Sequence, residues 1–344
     1  MAEQTFKLVS PDWRARVEDF PSALAWTADG SAVVVGCGEG QLLRLEAHTG
    51  DITHAVQAHA MGLLSLAGSM RAPLVATGGQ EKTARLWDAS TLEPRAALPA
   101  GPTSSVDIVC FASNAPVLAT ACGKHVAIWE SDGAQRVAFP PHEFTVSAIC
   151  WSPDGRRLAT AAFDAIRIWD ATTGELLRNY ETRTSILSLV WKPNDEILVG
   201  GTQDATMLIW NLREEDAFQA GPFEMKVKDL AFHDSGKSLL SGGGCDVTLW
   251  DFSSGDMQGE KPEFLAAHQE MVTAIGYQRV GPLAASGGRD GAVYFWRPGS
   301  ATMPLQYVHF EEEITALAWH PRDSHVAIAT SEGSIAVIAA PGRR

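Results

Sequence analysis

The sequence lacks the features that would carry the chain into or across a membrane. Its first residues, MAEQTFKLVSPDW, contain neither the basic end nor the apolar core of about 7–15 residues that a secretory signal peptide needs. No apolar run approaches the roughly 20 residues that a helix needs to span a bilayer. We therefore expect a cytoplasmic protein with no membrane partner.

Cysteine and basic residues are also scarce. The five cysteines, at positions 37, 110, 122, 150 and 245, are odd in number and form no Cys-x-x-Cys pair, which favours free thiols in a reducing cytosol. The chain has 27 Lys and Arg against 41 Asp and Glu, a net charge of −14. Because phosphate backbones and anionic lipids repel such a chain, we expect no nucleic-acid partner.

The sequence also lacks the periodicity of amphipathic helices. No repeat unit contains ten residues with apolar positions at helical spacing, so an alternating strand–helix fold is excluded. Short runs rich in Val, Ile, Leu and Trp occur instead, as in VSAIC, RRLATAA and AIRIWD, with Pro, Gly, Asp and Asn between them. A more polar fourth run follows, as in ELLRNYE. The pattern predicts an all-β chain built from groups of four strands.

One such group recurs eight times along the 344 residues, at steps of 40 to 45 residues. The copies begin at Trp26, Gly68, Phe111, Trp151, Trp191, Phe232, Tyr277 and Trp319. A period of about 40–45 residues with Trp-Asp at strand ends is typical of β-propellers, in which stacked blades bury the surfaces that a lone blade leaves open.

Trp-Asp stands at 87–88, 169–170 and 250–251, with Trp-Glu at 129–130 and Trp-Asn at 210–211. On these residues the chain resembles the WD40 family over nearly its whole length. The resemblance implies a WD40-type β-propeller with four strands in each blade. Seven blades are commoner in that family, but eight copies of the repeat favour eight blades here.

The two ends of the chain suggest how the ring closes. The last copy stops at SIAVIAAPGRR, after its third strand, while TFKLVSPDWRARV lies where a fourth strand normally precedes a repeat. We expect residues 5–17 to supply the missing outer strand of the last blade. Pro11 is tolerable there because an outer edge strand need not donate every N–H. One propeller domain then covers 1–344, with eight repeats over 21–340.

Ser or Thr, His and an acidic residue recur at matching positions in several copies. The sets are His142, Thr160, Asp164 and Trp169; His268, Ser286, Asp290 and Trp296; and His59, Thr77, Glu81 and Trp87. Such groups perform acyl transfer in some enzymes, but one active site needs only one set. The sets resemble the WD40 structural tetrad, in which Asp orients His, His meets the hydroxyl, and the hydroxyl meets the indole N–H. We expect them to rigidify the blades and predict no catalytic residue.

Cofactor motifs are absent or incomplete. Gly236, Lys237 and Ser238 supply the end of a phosphate-binding loop, but Ala231 stands where the first glycine is required and no helix follows. The sequence has no HExxH motif and no EF-hand loop. We therefore expect no cofactor.

Three turns leave a metal site open as an alternative. Cys122 and His125 have Cys-x-x-His spacing, and Cys37 and Cys245 occupy comparable turns in other copies. Such turns open on one face of a propeller, where soft ligands from different blades could converge. Free cysteines commonly pack as small apolar side chains, and different blades hold these sulfur atoms far apart. We therefore predict no metal site.

The loops are the natural place for binding. The loop that enters the first strand of a blade and the turn between its second and third strands open on the same, narrower face of a propeller, hereafter the narrow face. The resemblance implies that this is the usual peptide-binding surface. Exposed aromatic residues and methionines among polar ones fit a partner-binding patch, unless two or three of them fold back into the blade. The candidate protein-binding residues are Phe144, Phe163, Met271, Arg289, Gln203, Met225 and Lys124.

The leading functional hypothesis is a non-enzymatic scaffold that binds one or more proteins or peptides on the propeller faces. A ligand-binding or enzymatic propeller with a site in the central channel is the alternative. A third hypothesis is an accessory that handles metal or helps assemble a metalloenzyme. Inner strands such as LATAA and LVATGG consist mostly of Gly, Ala and Thr, which leaves little chemistry near the channel and favours the scaffold.

Overall fold

The computed structural model describes residues 6–102, 104–193, 197–213, 216–254 and 261–342. These residues form strands, turns and loops, and none of them lies in a helix. No helix long and apolar enough to cross a membrane occurs among them. The strands form eight sheets, so the predicted all-β propeller with eight blades is confirmed and the seven-bladed alternative is wrong.

Each blade is a four-stranded antiparallel sheet, described from the innermost strand outwards. Blade 1 contains Pro21–Trp26, Ala32–Cys37, Gln41–Glu46 and Ile52–Gln57. Blade 2 contains Leu63–Gly68, Leu74–Gly79, Thr83–Asp88 and Pro94–Pro99. Blade 3 contains Val106–Phe111, Leu118–Cys122, His125–Trp129 and Gln135–Ala138. Blade 4 contains Ala148–Trp151, Arg157–Ala161, Ala165–Asp170 and Leu176–Glu181.

The second half of the ring repeats this order. Blade 5 contains Ile186–Trp191, Ile197–Thr202, Met207–Asn211 and Asp216–Ala220. Blade 6 contains Leu230–Phe232, Ser238–Ser241, Val247–Asp251 and Glu263–Leu265. Blade 7 contains Val272–Tyr277, Ala284–Gly288, Ala292–Trp296 and Gln306–His309. Blade 8 contains Ile314–Trp319, His325–Thr330, Ser334–Ala339 and, outermost, Trp13–Arg16.

The N-terminal segment closes the ring, as predicted, but it forms two strands rather than one. Trp13–Arg16 runs antiparallel to the third strand of blade 8, with Trp13 opposite Val337. Lys7–Leu8 instead pairs in parallel with the outer strand of blade 7. The expectation that all of residues 5–17 would complete blade 8 is therefore wrong for residues 7–8, and residue 5 lies outside the described residues. Pro11, which has no N–H, lies where the chain crosses between the two sheets.

The core is divided into eight apolar clusters, one between each pair of neighbouring blades. Hydrogen bonds between innermost strands reinforce this packing. The indole N–H of Trp151 donates to the Cys110 carbonyl of the preceding blade at 2.9 Å, and the Ser147 hydroxyl donates to the Ile186 carbonyl of the following blade at 2.6 Å. Burial between blades and bonds in both directions make the ring a rigid platform for its loops.

Candidate functional site

The loops of the narrow face are tied to one another by backbone hydrogen bonds. In the loop that enters blade 4, the N–H of His142 donates to the Lys124 carbonyl of blade 3 at 2.9 Å. In blade 7, the N–H of Arg289 donates to the Met271 carbonyl, also at 2.9 Å. Side chains on these loops therefore project from a backbone that is already ordered, which lowers the entropy lost on binding.

Blade 2 contains an unbroken chain of four side chains beneath this face. The Nδ1–H of His59 donates to Glu81 at 2.7 Å, the Thr77 hydroxyl donates to Nε2 of the same imidazole at 2.7 Å, and the Trp87 indole N–H donates to Thr77 at 2.9 Å. The imidazole and the hydroxyl are buried. Desolvation lowers the pKa of His59 although Glu81 opposes the shift, so the neutral ring is favoured.

Blade 7 holds the same arrangement. His268 lies 3.1 Å from Asp290 and 2.8 Å from Ser286, and the Trp296 indole N–H donates to Ser286 at 2.8 Å. Tyr294 packs edge-on against the His268 ring, with 4.7 Å between the ring centroids. Each hydroxyl in blades 2 and 7 both accepts and donates, so no polar atom of the imidazole or hydroxyl is left unsatisfied.

Blade 4 departs from this pattern, and the expectation that Asp164 orients His142 is wrong. The Arg167 guanidinium lies between them, with Nη1 2.5 Å from His142 Nδ1 and Nη2 2.8 Å from an Asp164 carboxylate oxygen. His142 still lies 3.0 Å from Thr160, and the Trp169 indole N–H donates to Thr160 at 2.9 Å. Asp164 pairs with this arginine instead of the imidazole, whereas Asp290 of blade 7, where no arginine intervenes, bonds to its histidine directly.

The inserted guanidinium reverses one hydrogen bond. Because arginine only donates, His142 Nδ1 must accept, and its Nε2–H then donates to Thr160, opposite to the direction in blade 2. Burial and the Arg167 charge lower the pKa of His142 to about 4, although Asp164 acts in the other direction. The His142 ring is therefore neutral at physiological pH, and it has no acid–base partner set of the kind that acyl transfer needs.

Blades 3, 6 and 8 keep parts of the network. The indole N–H of Trp129 donates to Thr120 at 2.9 Å in blade 3, and that of Trp250 donates to Ser241 at 3.0 Å in blade 6. In blade 8 a single carboxylate, that of Glu312, accepts hydrogen bonds from the Thr330 and Ser334 hydroxyls. Sequence reasoning assigned no role to Glu312 or Arg167.

Phe144 and Phe163 form an aromatic pair on the narrow face. Their rings meet edge to face, with 5.6 Å between the centroids, and the side chains are 41% and 48% exposed. Phe144 comes from the loop that enters blade 4, and Phe163 from the turn between its second and third strands. The structure thus brings together two candidates that lie 19 positions apart in the sequence.

The other five candidates lie elsewhere on the narrow face. Lys124, Gln203 and Arg289 are exposed, Met225 is 48% exposed, and Met271 is half-buried. Arg289 faces Glu313 of blade 8 at 3.7 Å, an exposed ion pair.

The narrow face carries one further exposed aromatic residue, which is not among the candidates from the sequence. Phe20 is 47% exposed and directly precedes the first strand of blade 1. The sequence could have indicated Phe20, because it directly precedes the first strand of blade 1 as Met271 directly precedes the first strand of blade 7.

The cysteines considered as metal ligands lie in three different blades. Cys37 and Cys122 are buried in separate apolar clusters, and Cys245 is half-buried. Burial, with a smaller effect of Asp19, raises the pKa of the Cys37 thiol to about 12. The Cys122 thiol donates to the Ser104 carbonyl at 2.8 Å. Among the described residues, no three His, Cys, Asp or Glu side chains are grouped so that they could hold a metal ion.

Comparisons with known proteins point to one family. The model named WD domain, G-beta repeat, matches residues 40–88, 220–251 and 259–297. The model named anaphase-promoting complex subunit 4 WD40 domain matches residues 103–194.

Curated relatives match only in part. Villidin of Dictyostelium discoideum is 28% identical over 132 residues, which cover 35% of this chain and 8% of villidin. Eukaryotic translation initiation factor 3 subunit I of Aspergillus fumigatus is 24% identical over 161 residues, 42% of this chain and 47% of that subunit. The periodic tryptophan protein 2 homolog of Schizosaccharomyces pombe is 24% identical over 116 residues, 33% and 13% of the two chains. This chain therefore spans less than half the length of each of these relatives.

Among solved structures, the crystal structure of the computationally designed Ika8 protein resembles this chain, with a TM-score of 0.81 and 21% identity. The match covers 98% of this chain and 100% of Ika8, and it shows the fold alone. The family models describe WD40 repeats, and their matches fall on blades 2, 3, 4, 6 and 7 and on parts of blades 1 and 5 of a closed eight-bladed ring. This chain belongs to the WD40-repeat β-propeller family.

Proposed function

We propose that this protein is a non-enzymatic scaffold, a single propeller domain over 1–344 that binds a partner protein on its narrow face. The observation that carries the proposal is the Phe144–Phe163 pair, two contacting aromatic rings that are almost half exposed on ordered loops. Aromatic side chains are the usual anchors of protein interfaces because they bury a large apolar area at a small cost in side-chain entropy.

The rest of the narrow face supports the same proposal. Three exposed apolar side chains, those of Phe20, Met61 and Met225, lie on other loops of this face at 47%, 65% and 48% exposure. A surface with several exposed apolar groups among charged ones suits a partner protein better than a small polar substrate. The buried Ser or Thr, His and acidic groups recur from blade to blade, which suits a structural role better than a catalytic one.

The charge and the relatives indicate the kind of partner. A net charge of −14 favours partners that are basic, and it opposes nucleic acids and anionic membranes. One relative is named as a subunit of a translation initiation factor, and another as a periodic tryptophan protein 2 homolog. The first of these names denotes a part of an assembly. We propose by analogy that this chain also works within an assembly in the cytoplasm.

The test is affinity purification of the tagged full chain from its host at low salt, followed by measurement of the Kd for each co-purifying protein. The variant Phe144→Ser with Phe163→Ser removes the pair. If a partner covers both rings, their loss should weaken binding by roughly 2–4 kcal/mol, about 30- to 1,000-fold. Thermal unfolding should change little, because both rings lie at the surface and are almost half exposed.

The control variant removes two apolar side chains of similar exposure from outermost strands. These are Ile52 and Leu176, which are 48% and 45% exposed, each changed to Ser. The control should retain the partner with its original Kd. A partner that binds the Phe144→Ser, Phe163→Ser variant as tightly as the wild type would place the interface elsewhere on the ring and contradict the proposal.

A further inference from the structure

A cavity of about 480 Å³ lies between the outer strands of blades 5 and 6, and its lining includes neither Phe144 nor Phe163 of blade 4. Four aromatic rings line it: Phe218 from the outer strand of blade 5, Phe223 from the incoming loop of blade 6, and Trp250 and Phe264 from blade 6 itself. Trp250 is buried, whereas Phe264 is 56% exposed and stands at the mouth. The volume suits one large side chain together with part of its backbone.

The cavity occurs where blade 6 has no tetrad histidine. Phe223 lies four residues before the buried Val227, the place that His59 occupies before Leu63 in blade 2. The Phe223 ring is tilted against Trp250, with 6.0 Å between the centroids. An imidazole bonded to a carboxylate is thus replaced by an apolar ring without polar partners, and the carboxylates nearby remain available for a ligand.

Two glycines keep the cavity open. A Cβ atom on Gly244 would lie 2.7 Å from a Glu224 carboxylate oxygen, and one on Gly243 would lie 3.2 Å from Phe223 Cβ. Gly243 also has a φ of +128°, a conformation that side chains disfavour. Any larger residue at these positions would push Glu224 or Phe223 aside, so the glycines preserve both the space and the position of the carboxylate.

The charge of the lining has one sign. Glu224 and Asp246 contribute carboxylates, and no Lys, Arg or His is among the described residues that line the cavity. Burial raises the pKa of the neighbouring Cys245 thiol, and the carboxylates of Glu224, Asp246, Asp290 and Glu270 raise it further. The mouth of the cavity is therefore a region of negative potential beside aromatic rings.

We propose that this cavity binds an arginine side chain presented by a partner protein. A guanidinium is planar and weakly hydrated, so it stacks on aromatic rings such as Phe264 while its N–H groups pair with the Glu224 carboxylate. Its methylene stem packs against the apolar lining. A neutral apolar side chain would leave the two carboxylates without a counter-charge, and an acidic one would be repelled. The site shares no residue with the Phe144–Phe163 pair, so either proposal can fail alone.

The test uses three peptides that differ only at their central residue: Ac-Gly-Ser-Arg-Ser-Gly-NH2, its citrulline counterpart and its lysine counterpart. Citrulline has the shape of arginine without the charge. Binding to the full chain is followed through ¹³C-methyl methionine signals, because the N–H of Met225 donates to the carbonyl of Gly243 in the cavity wall at 2.7 Å. The arginine peptide should saturate the Met225 shift, and citrulline or lysine should bind at least tenfold more weakly.

Three variants locate the binding. Glu224→Gln with Asp246→Asn removes both charges, and Phe264→Ala removes the exposed ring; each should weaken the arginine peptide at least tenfold. Glu39→Gln with Glu311→Gln, which removes two exposed carboxylates from blades 1 and 8, is the matched control and should change the Kd less than twofold. Thermal unfolding of every variant shows that it is folded.

Four results would overturn the proposal. The first is the absence of saturable binding at 10 mM arginine peptide. This concentration is about ten times the Kd expected for a single anchoring side chain. Equal binding of the citrulline peptide would mean that charge is irrelevant, and equal binding of the lysine peptide that the guanidinium is not recognised. An equal loss in the Glu39→Gln, Glu311→Gln control would mean that the peptide responds only to the net charge of the protein.

Discussion

Two features decide how each tetrad histidine is held: the length of the acidic side chain and the residue two positions before the blade tryptophan. Two residues before the blade tryptophan, blade 2 has Arg85, blade 4 has Arg167 and blade 7 has Tyr294. Glu81 is long enough to reach His59 directly, and Arg85 stays 3.8 Å from that carboxylate. In blade 4 the acid is an aspartate, one methylene shorter, and the arginine occupies the gap. Acid length and the residue at this position therefore act together.

The sequence held the signal for this insertion. Side chains two residues apart on a strand point to the same face, so Arg167 must lie on the face of Trp169 and the buried histidine. An arginine so placed beside an aspartate rather than a glutamate indicates an ion pair that competes with the imidazole. Recognition of the family alone predicted the standard order of bonds, because the family pattern does not specify this residue.

We predict that Arg167→Tyr, which copies blade 7, will raise the pKa of His142 from about 4 towards the usual value for histidine. The substitution removes the neighbouring positive charge and leaves Asp164 free to accept the Nδ1–H. The measurement is the pH titration of the His142 ring proton by NMR. Asp164→Asn added to Arg167→Tyr is the control, and it should cancel most of the rise.

The same group gives a pH dependence of known sign. In the folded wild type the pKa of His142 is about 4, below the 6.5 of an unperturbed histidine, so the unfolded chain binds more protons between these values. The contribution of His142 to stability is therefore complete above pH 6.5 and is lost as the pH falls towards 4. The unfolding free energy of the Arg167→Tyr protein should depend less steeply on pH between 4 and 6.5 than that of the wild type. If the two proteins showed the same dependence, the assignment to His142 would be wrong.

Asp229 lies on the loop that leads into the innermost strand of blade 6. Its carboxyl group should make the unfolding free energy depend on pH in the opposite direction. Burial raises the pKa of this carboxyl to about 6, although Lys228 opposes the shift. Because the folded state then binds more protons than the unfolded chain, its contribution is present below about pH 4 and is lost as the pH rises to 6. We predict that Asp229→Asn will stabilise the protein by about 1–3 kcal/mol at pH 8 and by almost nothing at pH 4.

Chemical denaturation at both pH values measures this difference. Asp107→Asn, which removes an exposed carboxylate from the innermost strand of blade 3, is the control and should not reproduce the stabilisation expected for Asp229→Asn at pH 8. An Asp229→Asn protein that is less stable than the wild type at pH 8 would show that the charged form makes favourable contacts.

At the scale of the element, the strands were the most predictable part of the molecule. Each blade reads as apolar runs divided by turns, since a strand between two blades must be apolar on both faces. The ring-closing strand was predictable because the last repeat contains only three strands, and a blade needs four. The division of the N-terminal segment does not follow from the sequence, because one proline is compatible with a single edge strand, whereas Pro11 lies at the crossing between two sheets.

Closure of the ring should therefore depend on the second N-terminal strand more than on the first. Trp13 is 8% exposed, and its indole N–H donates to the Ala47 carbonyl of blade 1 at 2.7 Å. We predict that deletion of residues 1–17 will cost at least about 3 kcal/mol, because it exposes the cluster between blades 8 and 1. Chemical denaturation monitored by circular dichroism gives the value.

Deletion of residues 1–9 is the comparison. It removes Lys7–Leu8, whose side chains are exposed, and the partly buried Phe6 and Val9, so the loss should be about 1–2 kcal/mol. A synthetic peptide of residues 10–18 should restore stability to the longer truncation and have no effect on the shorter one. Equal losses from the two deletions would mean that closure does not rest on Trp13–Arg16.

At the scale of the whole molecule, the number of blades followed from counting repeats, and the narrow face followed from the topology that repeats impose. The contact between Phe144 and Phe163 was not predictable, because it depends on how two loops of one blade converge. The cavity between blades 5 and 6 was hidden for another reason. Gly243 and Gly244 read as turn residues in the sequence, and only the structure shows that their missing side chains leave space beside Trp250.

The charge of the whole molecule and the aromatic pair should act on different steps of binding. If the proposed partner is basic, the net charge of −14 attracts it over distances that salt screens, so the association rate constant should fall about tenfold between 50 and 500 mM NaCl. Loss of Phe144 and Phe163 removes short-range contacts and should raise the dissociation rate constant while leaving the salt dependence of association intact. Surface plasmon resonance with the purified partner separates the two constants. An association rate that is independent of salt would show that the acidic charge serves a purpose other than attraction of this partner.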